Sequence, residues 1–335
     1  MKLLIRSTTG LSLVGLLFLY SSCQKKAYQY NEGFIFGTIY HIQYQNTNDI
    51  QQQIDSVLKV VDYSLSTYKP ESVLSKINTN ESQATDAHFR TVFNKGQEVS
   101  AATNGAFDMT VSSLVNAWGF GFKTMDFPDS TTIDSLMQYV GYKKIKLENN
   151  LIIKANPNVN IDASAIAKGY GVDAVADYLE AVGIKNYLIE IGGEIRLKGK
   201  NNKNMAWSVG IDKPIDDLYN QTDELQEIIV PLNGGVATSG NYRRFYIKDG
   251  KKYAHTIDPF TGYPVAHNIL SATVCADDCM TADAYATAMM VMSLKESQDF
   301  LNKHPELSVY LIYAKDSTSN EVWMNDRFKK IIVQD

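Results

Sequence analysis

The most regular pattern in the chain begins at Phe34. Phe34, Phe36, Thr38, Tyr40, Ile42 and Tyr44 alternate with smaller or more polar residues, and this period of two predicts one continuous strand. The period then lengthens. Ile50, Ile54, Val57, Leu58, Val61 and Leu65 recur at helical spacing. Further helices are predicted over about 88–102, 131–140 and 165–181, with Gly141 and Gly183 just past the last two as stop signals. Short apolar runs alternate with them at Tyr187–Ile191, Trp207–Ile211, Glu227–Leu232, Arg244–Ile247, Ser271–Cys275 and Ser308–Tyr313. Asp249-Gly250, between Tyr246 and Tyr253, has the chemistry of a tight hairpin. Ser293 and Glu296 have the spacing of a capping box. Hairpins interleaved with helices predict an α+β fold, with mixed or antiparallel sheets and packed helices, over a doubly wound parallel sheet.

The start of the chain follows another rule. Lys2 and Arg6 precede an apolar stretch from Leu11 to Tyr20, interrupted by Ser12 and Gly15. That describes a secretory signal over residues 1–22, because the run is too short for a bilayer's hydrocarbon core of about 20 residues. Cys23, after Ser21 and Ser22, resembles the lipidated cysteine of a bacterial lipobox, although Tyr20 stands where Leu is usual. The expectation is an exported lipoprotein, anchored through Cys23 and facing the periplasm. A tether over 23–31 would lead into one catalytic domain over 32–335. A plain cleaved signal with an incidental cysteine is the alternative.

Composition adds mainly exclusions. The 335 residues are 44% hydrophobic and 21% charged, with a net charge of −5. That is ordinary globular material without the clustered basic excess of a nucleic-acid surface. Cys275 and Cys279 are too few for a zinc site without further ligands nearby. Their pairing in an oxidising compartment stays open.

Three segments concentrate residues that are costly unless used. In Ile161 to Asp173 a strand is expected to end near Ile161 and a helix to begin at Ser164 or Ala165, capped by Asp162 or Ser164. Free N–H groups of its first turn would form an anion site, with Lys168 leaning over a bound phosphate. The bland alternative is a well-capped helix with a surface lysine. In Met280 to Met290, Asp283 and Thr287 are four apart and share one helix face. A carboxylate, a hydroxyl and one carbonyl suit Mg²⁺, which keeps waters and takes other oxygens from substrate phosphate. The competing reading makes Asp283 an exposed complement to the helix N-terminus. In Gly234 to Pro264, His255 stands before turn-forming Asp258-Pro259 and Thr261-Gly262, as a general base or a structural residue.

Taken in order, these segments resemble the ApbE family of FAD:protein FMN transferases. The resemblance rests on Phe36-Gly37-Thr38-Ile39-Tyr40, Leu65 to Ser72 with Asn78, Gly105 to Val111 with Leu114 and Trp118-Gly119, and Asp162 to Gly169. It continues through Gly192-Gly193, Ala237 to Tyr242, His255 to Pro264 and Ala282 to Thr287. Two departures are Phe36 where the family usually has Met, and Thr256 within its His-Ile-Ile-Asp-Pro run.

The resemblance implies a T-fold-related architecture. It also implies FAD contacts at Phe36, Tyr68, Ala106, Phe107, Asp108, Asp162, Lys168 and Thr256. Mg²⁺ would lie on the Ala165 carbonyl, Asp283 and Thr287, with His255 as candidate base. The implied reaction moves FMN from FAD to a threonine hydroxyl of a partner, an exported or membrane-associated redox protein, and releases AMP. A pyrophosphatase giving FMN and AMP, or a non-catalytic flavin-binding lipoprotein, are the alternatives.

Overall fold

The computed structural model describes residues 27–121, 127–215, 224–242, 244–316 and 319–334. The expected signal segment and Cys23 lie outside the described residues. Strand β1 (Tyr28–Ile35) turns into β2 (Thr38–Gln45), followed by α1 (Gln51–Leu65), α2 (Val73–Asn78) and α3 (Ala87–Ala102). Then come α4 (Ser112–Ala117), α5 (Ser130–Met137), the hairpin β3 (Ile145–Glu148) and β4 (Leu151–Lys154), and α6 (Ala167–Ala181). Strands β5 (Tyr187–Ile191), β6 (Glu194–Lys198), β7 (Val209–Asp212), β8 (Leu225–Ile229) and β9 (Gly234–Gly240) follow. The chain continues through β10 (Phe245–Lys248), β11 (Lys251–Ala254), β12 (Ile269–Ala276), α7 (Cys279–Val291) and α8 (Leu294–Leu301). It closes with β13 (Ser308–Ala314), β14 (Asn320–Met324) and α9 (Asp326–Lys329).

Among the described residues the main sheet has eight strands in the order β1-β2-β5-β6-β9-β12-β13-β14, and every neighbouring pair is antiparallel. Helices α1 and α6 cover its β2–β5 end, burying Ile42, Leu58, Val172 and Ile189. Helix α7 lies over β9 and β12, and with α3 encloses Phe89, Val92, Met289 and Leu311. The opposite face buries Trp207, Val236, Tyr310 and Phe328 under β7–β8 and α9. This is the α+β arrangement that the alternation of periods predicts. Helix α7 is buried nearly all round, which its Ala and Met side chains allow. An ionisable Asp283 inside such a helix is costly without partners.

Three local expectations change. The strand predicted through residues 34–44 is a hairpin, because Phe36 and Gly37 have φ of 52° and 77°, the positive values that a two-residue type I′ turn requires. The turn reverses the faces: Phe34 is 72% exposed and Tyr40 only 2%. Strand β1 begins at Tyr28, so Tyr28–Asn31, read as tether, are part of the sheet. No strand ends at Ile161, whose N–H and C=O are each bonded at 2.8 Å by the side-chain amide of Asn78. Cys275 and Cys279 are buried free thiols in cores on opposite faces of the sheet. Among the described residues no helix is long and apolar enough to cross a membrane.

Candidate active site

Helices α6 and α7 approach closely at Gly169. A Cβ there would stand 2.5 Å from the Cys279 carbonyl oxygen and 2.8 Å from the Asp283 Cβ, so only glycine permits the contact. The Gly169 N–H donates to Asp283 Oδ2 at 3.0 Å. At helical spacing that N–H would have bonded the Ala165 carbonyl. Helix α6 instead begins at Ala167, and no main-chain donor among the described residues reaches the Ala165 oxygen. Asp283 is 3% exposed and sits in the second turn of α7. It is therefore not the exposed helix-end carboxylate of the competing reading; Asp278 caps α7, accepting the Thr281 N–H at 2.7 Å. Thr287 follows one turn on, its hydroxyl 3.3 Å from that of Ser239 on β9.

Lys168 sits beside this contact. Its Nζ lies 2.7 Å from Glu194 Oε1. Sequence reasoning assigned Glu194 no role. The Gly192-Gly193 turn, with φ of 61° and 102°, forms the tight β5–β6 hairpin that sets Glu194 as the first residue of β6. An acid directly after a Gly-Gly turn was the available signal.

Burial alone would lower the Lys168 pKa, but the Glu194 and Asp283 carboxylates outweigh it and raise it. Both carboxylates are pushed up, chiefly by burial, and Lys168 only partly offsets this. The short ion pair favours a protonated Lys168 with Glu194 ionised. With both carboxylates ionised, a single ammonium would leave an uncompensated negative charge, and a bound cation would offset it.

The supporting shell is built around Asp173 on α6. Its carboxylate accepts the Cys279 and Met280 N–H groups at 2.9 and 2.8 Å and pairs with Arg196 at 2.8 Å. The first turn of α7 is thus tied to α6 and β6. Two first-turn N–H groups of α6 are already committed, Ala167 to the Ala163 carbonyl and Gly169 to Asp283, whereas the Lys168 N–H has no acceptor among the described residues. Nor do Asp162 or Ser164 cap α6, which has no side-chain cap. Asp162 accepts the Ser164 N–H at 2.8 Å and its hydroxyl, closing a turn upstream.

The other expected contacts divide. Phe36 packs against α6, where a Cβ on Gly171 would fall 2.4 Å from its ring. Tyr68 is 68% exposed on the turn after α1. Ala106 and Phe107 are core residues. Asp108 is committed to its own chain, accepting from the Thr110 N–H and hydroxyl and from the Tyr142 N–H, at 2.6–2.7 Å. Burial raises its pKa. Thr256 is buried and donates to Asn241 Oδ1 at 2.8 Å. Phe260, largely exposed, lies 3.6 Å from where a Gly105 Cβ would be, so the turn after His255 reaches the Gly105–Asp108 segment. Trp118 secures that turn through Nε1–H to the Gly262 carbonyl at 2.8 Å.

His255 is half-buried, with Nδ1 3.2 Å from the Arg244 carbonyl. A carbonyl accepts only, so Nδ1 carries the proton and Nε2 keeps its lone pair. Burial first, then the Arg244 and Lys168 charges, push its pKa down to about 4. The contribution from Lys168 sets His255 within electrostatic reach of the α6–α7 centre.

The residues fit a hard cation. Among the described residues no cluster of three or more His, Cys, Asp or Glu could hold a metal. Asp283, Thr287 and the undonated Ala165 carbonyl instead offer three kinds of oxygen, leaving the rest of an octahedral shell to water or phosphate. A separate cavity of about 190 Å³ between β1 and α1 is lined by none of these residues, and its Tyr40, Gln51 and Asp55 side chains bond one another.

Oxygen donors beside an ammonium, on an antiparallel α+β scaffold, are the kind of groups that a hard cation on a phosphorylated ligand would use. The sequence profile of the ApbE family matches residues 36–311. The FAD:protein FMN transferase of Vibrio cholerae is 40% identical over 288 residues, covering 82% of this chain and 85% of its own. That of Haemophilus influenzae is 37% identical, covering 92% and 93%. The solved flavin transferase ApbE from Vibrio cholerae superposes with a TM-score of 0.83 at 36% identity, over 91% of this chain and 99% of that one. The chain belongs to the ApbE family.

Proposed function

We propose that this chain is an Mg²⁺-dependent FAD:protein FMN transferase. The names of its relatives support the activity. The observation that carries the chemistry is the Gly169–Asp283 bond that joins α6 to α7, with Thr287 one turn further along α7, an undonated Ala165 carbonyl ahead of α6 and the Lys168 charge close to Asp283. In this reading the three oxygens hold Mg²⁺, which supplies charge neutralisation at the FAD pyrophosphate. Lys168 adds a fixed positive charge at the same phosphates. The exposed rings of Tyr68 and Phe260 offer flat surfaces for the ring systems of FAD.

The acceptor is a threonine hydroxyl on a partner protein. Its oxygen forms a bond to the FMN phosphorus, the bond to the AMP oxygen breaks, and the hydroxyl proton passes to His255 Nε2. Because the acceptor would be an exported or membrane-associated redox protein, anchoring through Cys23 at the periplasmic face would bring enzyme and partner to one surface.

The decisive experiment incubates the protein with FAD, Mg²⁺ and a threonine-bearing redox protein, then weighs that protein. A mass increase of one FMN, with AMP released in equal amount, is expected. AMP release with no labelled acceptor would replace transferase with pyrophosphatase.

A further inference from the structure

We propose that Glu194 is a further working residue of this site. With Oε1 it holds Lys168, and with Oε2 it accepts a hydrogen bond from an O–H group that arrives with the ligands. That group is either the acceptor hydroxyl or water on the bound cation. The assignment rests on the transferase reading above.

The carrying observation is a buried carboxyl oxygen without a partner. Glu194 is 5% exposed, and its Oε2 is buried without a hydrogen-bond partner. The other buried side-chain atoms in that condition among the described residues are the amide oxygen of Asn31, the imidazole nitrogen of His267 and the hydroxyls of Ser271 and Ser297, all on side chains that carry no negative charge. A carboxylate oxygen left so is far more costly than an amide or hydroxyl, and is retained where something else uses it.

Its position is fixed from both sides. The Gly192-Gly193 turn sets the backbone, and the 2.7 Å bond to Lys168 orients the carboxylate. Lys168 precedes Gly169, whose N–H holds Asp283. The Glu194 and Asp283 carboxyl groups are also close enough for the charge of one to act on the other. A purely structural partner for Lys168 would need one oxygen only.

The test uses Glu194→Gln and the conservative Glu194→Asp in the full chain, with thermal unfolding to establish that each is folded. Mg²⁺ is titrated against protein with FAD, and the acceptor assay is run in parallel. If Oε2 receives metal-bound water, Glu194→Gln weakens Mg²⁺ by roughly 10–100-fold. If it receives the acceptor hydroxyl, Mg²⁺ and FAD affinities hold while kcat for transfer falls by about 100-fold or more.

Glu194→Asp retains the charge for Lys168 but withdraws Oε2, so it should show the same defect in smaller degree; it also decides the matter if the Gln variant does not fold. Wild-type affinities and kcat in folded variants overturn the proposal. If the wild type labels no acceptor, the transferase reading fails on its own. AMP release to water then serves as the kcat readout, and the Mg²⁺ titration still decides Glu194.

Discussion

The Gly169 N–H donates to Asp283 Oδ2 at 3.0 Å, so the first turn of α6 is closed by a side chain of α7 rather than by its own carbonyl. Two consequences follow from this single bond. Among the described residues Asp283 is fixed without an ion pair, and the Ala165 oxygen receives no main-chain donor.

Replacing Asp283 by Asn should abolish most turnover while preserving the fold. Asparagine can still accept the Gly169 N–H, but it removes the one formal charge among the proposed cation ligands. AMP release at saturating Mg²⁺ should fall by roughly 100-fold or more, whereas stability should stay within about 2 kcal/mol of wild type. A near-normal rate would mean that the cation lies elsewhere.

Gly169→Ala attacks the same contact through packing. The added methyl meets the Cys279 carbonyl and the Asp283 Cβ inside van der Waals distance, and backbone cannot swing aside. Denaturant unfolding should show a loss of about 1–3 kcal/mol, with weaker FAD binding because Lys168 moves with α6.

Mg²⁺ should bind poorly alone. Asp283, Thr287 and one carbonyl leave most of its shell to water and phosphate. Calorimetry should show much weaker Mg²⁺ binding without FAD than with it, and equal tight binding in both cases would misplace the ligands.

The pH dependence follows from His255. Its folded pKa of about 4 lies below the ordinary 6.5, so the unfolded chain takes up the proton more readily. Its stabilising contribution is complete above pH 6.5 and is lost as pH falls from 6.5 towards 4. With a neutral base throughout, the transfer rate should show no His inflection near pH 6.5, and His255→Ala should lower it by about 100-fold or more. An inflection at 6.5 that disappears in His255→Ala would show a solvent-exposed, ordinary histidine.

Anchoring is tested in cells. A palmitate analogue should label the wild type and not Cys23→Ala. Label that survives the substitution would reject lipidation at Cys23.

Much of this protein was legible from its sequence because local rules govern those parts. Helical spacing located α1 and α3, Asp249-Gly250 set the register that pairs Tyr246 with Tyr253, and Ser293 with Glu296 capped α8. Asp283 and Thr287 share a helix face by periodicity alone. What the sequence left undecided were the long-range partners. Alternation through Phe36 concealed a turn, because a period of two continues unbroken across a residue pair whose positive φ reverses the faces.

Asp162 looked like a cap, and Lys168 stayed open between a phosphate-facing and a surface lysine, because helix onset and burial depend on what packs against them. Only the folding of α6 onto α7, and of the β5–β6 hairpin against both, decided that Asp283 bonds Gly169 and that Lys168 meets Glu194 across 26 residues of chain. Burial makes those contacts strong, and burial is a property of the assembled layers rather than of any segment within them.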